Sequence, residues 1–347
     1  MATISAASSS KSDKKRKHDG GICLGIDDFD AIIEKNTAFI DKTMFIKEWM
    51  ENSAKVSVFL RPRRFGKSTN LSMLKSFFSS GADSNDFSRF LIGKEAEFLE
   101  MHCGKYPVVL LNMKNIRGDN WEQMLEKLWS MLRHVMYSQA SNLDVEDIDF
   151  IGINYRDTKE RPNETIADAF LLHLTTCLKK KSQKTVIVLI DEYDAPLNHA
   201  FRMEFFEKAS RFFGSFYSNG LKDNPALEKA CLMGIVEIRG PGIRSELNNM
   251  VLYSSSTEQF SQYFGFTQGE ISEFLDGDVK RIEDVLEWYN GYFMGSDHVI
   301  NPWSFMNYVR SRKLMSYWVQ TASIDSIRTI IDPVLSVDLI KILAQLY

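Results

Sequence analysis

The chain has 347 residues, of which 44% are hydrophobic and 25% charged, and a formal net charge of −4. That length suits one large domain or two ordinary ones, and the composition is that of a globular protein. The mild acidity gives no sign of a nucleic-acid coat, and no apolar run nears the ~18 residues that a membrane span needs. Cys23, Cys103, Cys177 and Cys231 are far apart, and neither they nor the six histidines show metal-ligand spacing. They read as reduced thiols of an intracellular protein.

The first 20 residues hold five Lys/Arg against two Asp, net +3, and the remainder carries −7. Residues 1–25 read as a disordered basic tail without an apolar signal-peptide block. Lys14-Lys15-Arg16-Lys17 matches a nuclear-import signal, with a solvated tail as the equal alternative and a cytoplasmic protein as its consequence. Phe29–Asn52 reads as an approach segment and a helix carrying Met44, Phe45, Ile46, Trp49 and Met50, which Thr43 could cap.

The apolar run Val56–Leu60 then leads into Arg61-Pro62-Arg63-Arg64-Phe65-Gly66-Lys67-Ser68-Thr69, and Asn70–Phe78 has helical spacing. Strand, loop and helix in that order give a Gly-Lys-Ser triplet its chemistry. Amides at a helix start point at an anion and the helix dipole favours it. Gly66 lets backbone approach phosphate oxygens. Lys67 would reach terminal phosphates and the Ser68 hydroxyl a magnesium ion. Arg61 stands where such loops usually open with glycine. With Arg63 and Arg64 it puts three cations beside an expected polyanion site.

Tyr106–Met113 is the next expected strand. Asn112 and Lys114 at its end read either as neighbours of the phosphates or as surface turn residues. Trp121–Tyr137 reads as a core helix and Ser138–Thr165 as a polar surface insertion. A helix from Thr165 to about Leu178 ends in three lysines that complement its dipole. Lys184–Ile190 is a buried strand tipped by Asp191-Glu192-Tyr193-Asp194. In a parallel sheet that tip is where ligand chemistry sits. Asp191 would hold magnesium and Glu192 would orient and deprotonate water.

Pro196–Tyr217 reads as a helix with an aromatic core stripe, and Ala230–Ile238 as the next strand. Arg239 at its tip is the candidate γ-phosphate sensor, with Arg244 next. Gly240-Pro241-Gly242 forces a turn. Gly265 marks an expected boundary. Beyond it, Thr267-Gln268-Gly269-Glu270 is a capping box, Ile282–Tyr289 a helix ended by an Asn290-Gly291 turn, and Asn301-Pro302 a cap with proline at the first helical position.

Taken together, the loop at 61–69, Phe39-Ile40-Asp41-Lys42-Thr43, Asp191-Glu192-Tyr193-Asp194 and Leu247-Asn248-Asn249 resemble the AAA-ATPase-like family. Tyr263-Phe264-Gly265-Phe266-Thr267, Tyr289-Asn290-Gly291-Tyr292 and Asn301-Pro302-Trp303-Ser304 extend the likeness from about Phe29 to Trp318. The resemblance implies an α/β P-loop NTPase of the AAA/ASCE-like kind, with a mostly parallel sheet flanked by helices. It divides the chain into a tail (1–25), a nucleotide domain (26–265) and a C-terminal helical subdomain acting as a lid (266–347). It makes Arg61 a member of the family's own loop variant, whose nucleotide-binding residues run from Arg61 to Thr69.

The implied ligands are ATP and Mg2+, with Ser68 and Asp191 at the metal and Glu192, Lys67 and Arg239 catalytic. A PD-(D/E)XK nuclease-like domain follows this region in many relatives, and no such motif is found after residue 265. ATP hydrolysis is the first reading. The other is a nucleotide-dependent switch or scaffold with little turnover, a remnant of a nuclease-linked mobile-element or defence protein. A homo-oligomer would follow if Arg239, Arg244 or the loop arginines served a neighbouring copy.

Overall fold

The computed structural model describes residues 25–35, 37–157, 160–238 and 248–317. The basic run at 14–17, Cys23, Arg239 and Arg244 lie outside them. Its main sheet contains β1 (Val56–Leu60), β2 (Val108–Asn112), β3 (Val186–Asp191), β4 (Leu227–Gly234) and β5 (Met250–Tyr253). Their spatial order is β2-β3-β4-β1-β5, and every pairing is parallel. Parallel strands need long crossovers, and here helices supply them on both faces.

The continuous apolar strands follow from that covering. Every residue of β1 and β3 is buried. Side chains alternate between faces. Val186, Val188 and Ile190 join Val58, Leu60 and Leu232 in one core, with α5 (Trp121–Ser138), α7 (Glu164–Ser182) and α9 (Phe206–Leu221) over it. Ile187 and Leu189 join Phe59, Cys231 and Met233 in the other, under α2 (Met44–Glu51), α3 (Lys67–Phe78) and α4 (Ala96–His102). Each such side chain contributes about 1.5–3 kcal/mol by burial. Truncating either face of β3 therefore weakens the element that carries Asp191. Cys103, Cys177 and Cys231 are free and buried.

Helix α1 (Phe29–Glu34) packs on α3 through Phe29, whose amide donates to Ser72 Oγ at 2.9 Å. Thr43 precedes α2 but does not cap it through its side chain. Its hydroxyl instead donates to Asp41 Oδ1 at 2.6 Å and accepts from the Ile92 amide at 3.1 Å. The segment expected as a surface insertion contributes to the core: α6 (Val145–Ile151) opens with an Asp144/Asp147 capping box and buries Ile148 and Ile151. The aromatic helix after β3 is broken in two, α8 (Ala195–Ala200) and α9. Phe201 at the break is exposed, while Phe212, Phe213 and Phe216 are core.

Beyond Gly265 the chain builds α10 (Gln268–Phe274), α11 (Val279–Tyr289) and α12 (Pro302–Ser311). It also builds a sheet that the helical expectation lacked: β6 (Phe266–Thr267), β7 (Asn290–Met294) and β8 (Asp297–Ile300), antiparallel in the order β6-β8-β7. Asn290-Gly291 starts β7 instead of forming a turn, because Asn290 pairs with Ile300 and Tyr292 with Val299. Both expected caps are present. Thr267 and Glu270 form the capping box of α10, and Asn301 Oδ1 accepts from the Ser304 amide with Pro302 at the first turn. Among the described residues no helix is long and apolar enough to cross a membrane.

Candidate nucleotide site

Three strand ends meet at the site. β4 lies between β1 and β3, with Leu60 opposite Gly234 and Ile190 opposite Leu232. The Arg61 amide extends the β1 pairing by donating to Gly234 O at 3.0 Å. The chain then turns back into α3. Gly66 caps that helix with φ of 79°, in the left-handed region that glycine enters without strain. The first amides of a twelve-residue helix are left facing outward there, with its positive dipole end.

Lys67 curls under this turn. Its ammonium donates to Arg61 O at 2.9 Å and Pro62 O at 2.8 Å. Burial pushes its pKa down to about 8, opposed chiefly by the charge of Asp191 and less by Asp194 and Glu192. Ser68 Oγ donates to Asp191 Oδ2 at 2.7 Å, joining positions 123 residues apart. Asp191 Oδ1 accepts from the Glu192 amide at 3.0 Å. Burial holds the Asp191 pKa above its ordinary value, against the Ser68 hydrogen bond and the Lys67 charge.

Glu192 has φ of 49°, a left-handed conformation that costs a non-glycine residue about 1–3 kcal/mol. Glu192 lines the cleft. Burial, then the like charge of Asp191, raises its pKa, while Lys114 and Lys67 oppose the rise. Asp194 anchors the neighbouring strand exit. Its Oδ2 accepts from the amides of Ile235 (3.1 Å) and Val236 (3.0 Å) and from Asn198 Nδ2 (2.8 Å). These bonds turn the chain out of the sheet, so β4 stops at Gly234 instead of running to Ile238. A Cβ at Gly234 would stand 2.5 Å from the Tyr193 ring and 2.7 Å from Asp194 Oδ1. The role of Asp194 was missed in the sequence. Its signal was an acid just past a strand tip that must turn sharply.

A cleft of about 530 Å³ opens over these groups. Arg63, Arg64, Phe65, Gly66, Lys67, Ser68 and Thr69 line it with Glu192, and Asp191 stands behind Ser68. Arg61 does not line it. Expected among the phosphate-facing cations, it is fully buried and donates to Leu60 O at 2.9 Å and Tyr253 O at 2.7 Å. Its guanidinium lies 4.7 Å from the centre of the Phe264 ring. The physical reason is its position: as the first residue beyond β1 it keeps the strand's register and points inward.

Of the rest of the lining, Lys114 was weighed in the sequence as a neighbour of the phosphates, while Arg117 and Met306 were passed over. Lys114 and Arg117 line the cleft, and the Lys114 charge acts on Glu192. Phe39, Ile40, Phe266, Trp303 and Met306 make an apolar wall. Lys42 joins that wall to α10 by donating to Gln262 O at 2.6 Å and Glu270 Oε1 at 2.5 Å. A divalent cation suits the remaining donors. Among the described residues no group of three or more His, Cys, Asp or Glu could hold a metal by itself. Ser68 and Asp191 offer two hard oxygens, the small protein share with which magnesium is held beside substrate phosphates.

An uncharacterised protein from the vnfD 5′ region of Azotobacter chroococcum mcd 1 is 25% identical over 313 residues, 86% of this chain and 54% of that protein. The chain thus spans about half the length of the curated relative it matches. The predicted AAA-ATPase family (AAA-ATPase_like) matches residues 23–244, which hold β1 to β4, the Lys67 turn and Asp191-Glu192. By that match over more than half its length, and with its parallel sheet, the chain belongs to the predicted AAA-ATPase family.

Proposed function

We propose that the chain binds ATP with magnesium and hydrolyses it. The observation that carries this reading is the 2.7 Å hydrogen bond between Ser68 and Asp191, with Lys67 and Glu192 on either side of it. The α3 amides and Lys67 hold the β- and γ-phosphates. To do so Lys67 exchanges its two loop carbonyls for phosphate oxygens, a trade of neutral acceptors for charged ones. Ser68 and Asp191 hold magnesium, which supplies charge neutralisation at the phosphates when bound. Glu192 orients the attacking water and accepts its proton; a carboxylate of raised pKa is the better base for that step.

Phosphoryl transfer asks mainly for positioning and charge, and the strained Glu192 turn supplies position. Phe39, Ile40 and Met306 of the apolar wall offer a surface for a base. Residues 26–265 act as the nucleotide domain and those beyond as its cover, with Arg239 sensing the γ-phosphate. The test is direct. Purified chain is titrated with labelled ATP, with magnesium or with chelator, and phosphate release is followed at steady state. Magnesium-dependent binding with release above buffer is the expected result. No binding at millimolar ATP would end the reading, and binding without release would leave a nucleotide switch.

A further inference from the structure

Arg64 and Phe65, the two residues before Gly66, leave the phosphate loop and seat on the C-terminal region. Phe65 is fully buried against Met294 and Val299, with its ring centre 4.9 Å from that of Tyr292. Arg64 has φ of 68°, and its guanidinium carbon lies 4.0 Å from the centre of the Trp303 ring. Trp303 sits in the first turn of α12, whose start is fixed by the Asn301 cap and Pro302. Both Arg64 and Trp303 line the cleft. The Nη1 nitrogen of Arg64 is buried and has no hydrogen-bond partner.

A guanidinium stacked on an indole uses its face and keeps its in-plane N–H groups free to donate. We propose that Trp303 is a positioning residue for the phosphates: it holds Arg64 against α12 so that Nη1, which has no partner in the protein, donates to the polyphosphate. The proposal rests on the nucleotide reading and deepens it. The phosphate site is then completed by a residue more than two hundred positions beyond the loop. An isolated arginine on a turn loses side-chain freedom when it grips a ligand, and the stack removes that freedom beforehand. By linkage, phosphate binding must also tighten the seat of α12 on the loop.

The experiment is a double-mutant cycle read as affinity for magnesium ATP and for magnesium tripolyphosphate, which has no base. Arg64→Ala is expected to weaken both about tenfold or more, the loss of charge-assisted hydrogen bonds. Trp303→Leu keeps an apolar side chain but removes the ring face, and should weaken both about three- to thirtyfold. The double variant should be no weaker than Arg64→Ala alone. Trp303→Phe restores a face and should return to within about threefold of the unaltered chain. Thermal unfolding without nucleotide is measured in parallel.

Additive losses, an unchanged affinity in Trp303→Leu, or an unchanged affinity in Arg64→Ala would each overturn the proposal. So would a loss for ATP with none for tripolyphosphate, since Trp303 would then touch the nucleoside itself. Failure of the nucleotide reading is a separate result, because it is seen as no ATP binding in the unaltered chain.

Discussion

The wall of the cleft made by β1, β3 and α3 is polar and internally paired, whereas the opposite wall, made by residues 38–40 and α12, is apolar and touches the loop through few side chains. On the first wall Lys67 has its loop carbonyls, and Asp191 has the Ser68 hydroxyl and the Glu192 amide. On the second, Phe39, Ile40 and Met306 present hydrocarbon, and Trp303 carries Arg64. In the proposed function, chemistry belongs to the first wall and closure to the second. Substitutions in the first wall should change what happens to phosphate, and those in the second how firmly ligand and cover are held.

The comparison is tested most severely at Glu192. Glu192→Gln keeps shape and hydrogen bonding but removes the base, so phosphate release should fall about 10²–10⁴-fold. ATP affinity should stay within about threefold, because in the proposed function the carboxylate serves the attacking water rather than the ligand. Turnover equal to that of the unaltered chain would assign the base elsewhere. Lys67→Ala comes next. It removes the charge proposed to meet phosphate and leaves Arg61 O and Pro62 O without their donor. Affinity should drop by about a hundredfold, measured by competition with a labelled nucleotide.

Arg61 sharpens the contrast from inside the first wall. It is a loop arginine by sequence and a core residue by position. Arg61→Ala should lower unfolding stability by about 2–4 kcal/mol, through the cavity and the two carbonyls left unpaired. In denaturant melts that appears as an earlier midpoint, with ATP affinity of the folded protein unchanged within about threefold. A large affinity loss at unchanged stability would return Arg61 to the phosphates.

How much of this was readable in the sequence follows from the range of the forces involved. Val56–Leu60 and Val186–Asp191 declare themselves because a strand covered on both faces must be apolar throughout. Thr267-Glu270 and Asn301-Pro302 declare themselves because caps act within four residues. Asn290-Gly291 misleads, since whether it turns or pairs depends on β8, which arrives seven residues later. Arg61 misleads for a related reason. Its neighbours in sequence are cations, while its neighbours in space are Tyr253 and Phe264. Trp303 carries no local sign of its partner at all. The strands and loop of the first wall were thus readable from runs and spacings, and the packing of the second was not, because its contacts are long-range.

The smallest expected effect is a pH dependence belonging to the first wall alone. Burial lowers Lys67 from the ordinary lysine value to about 8 in the unliganded chain. Between that value and 10.5 the unfolded chain binds more protons at this site than the folded one, so the site's contribution to stability rises with pH through that window. Phosphate prefers the charged ammonium, so its binding raises the Lys67 pKa and takes up a proton near pH 8. ATP affinity should therefore weaken as pH rises, by about tenfold between pH 7 and 9, in the opposite direction to the stability contribution. Calorimetric titration in buffers of differing ionisation enthalpy reads the proton uptake directly. Lys67→Ala should abolish it, and Trp303→Leu, which leaves Lys67 and its two carbonyl partners untouched, should leave it in place. A proton uptake that disappears in Trp303→Leu would mean that the two walls are electrostatically one.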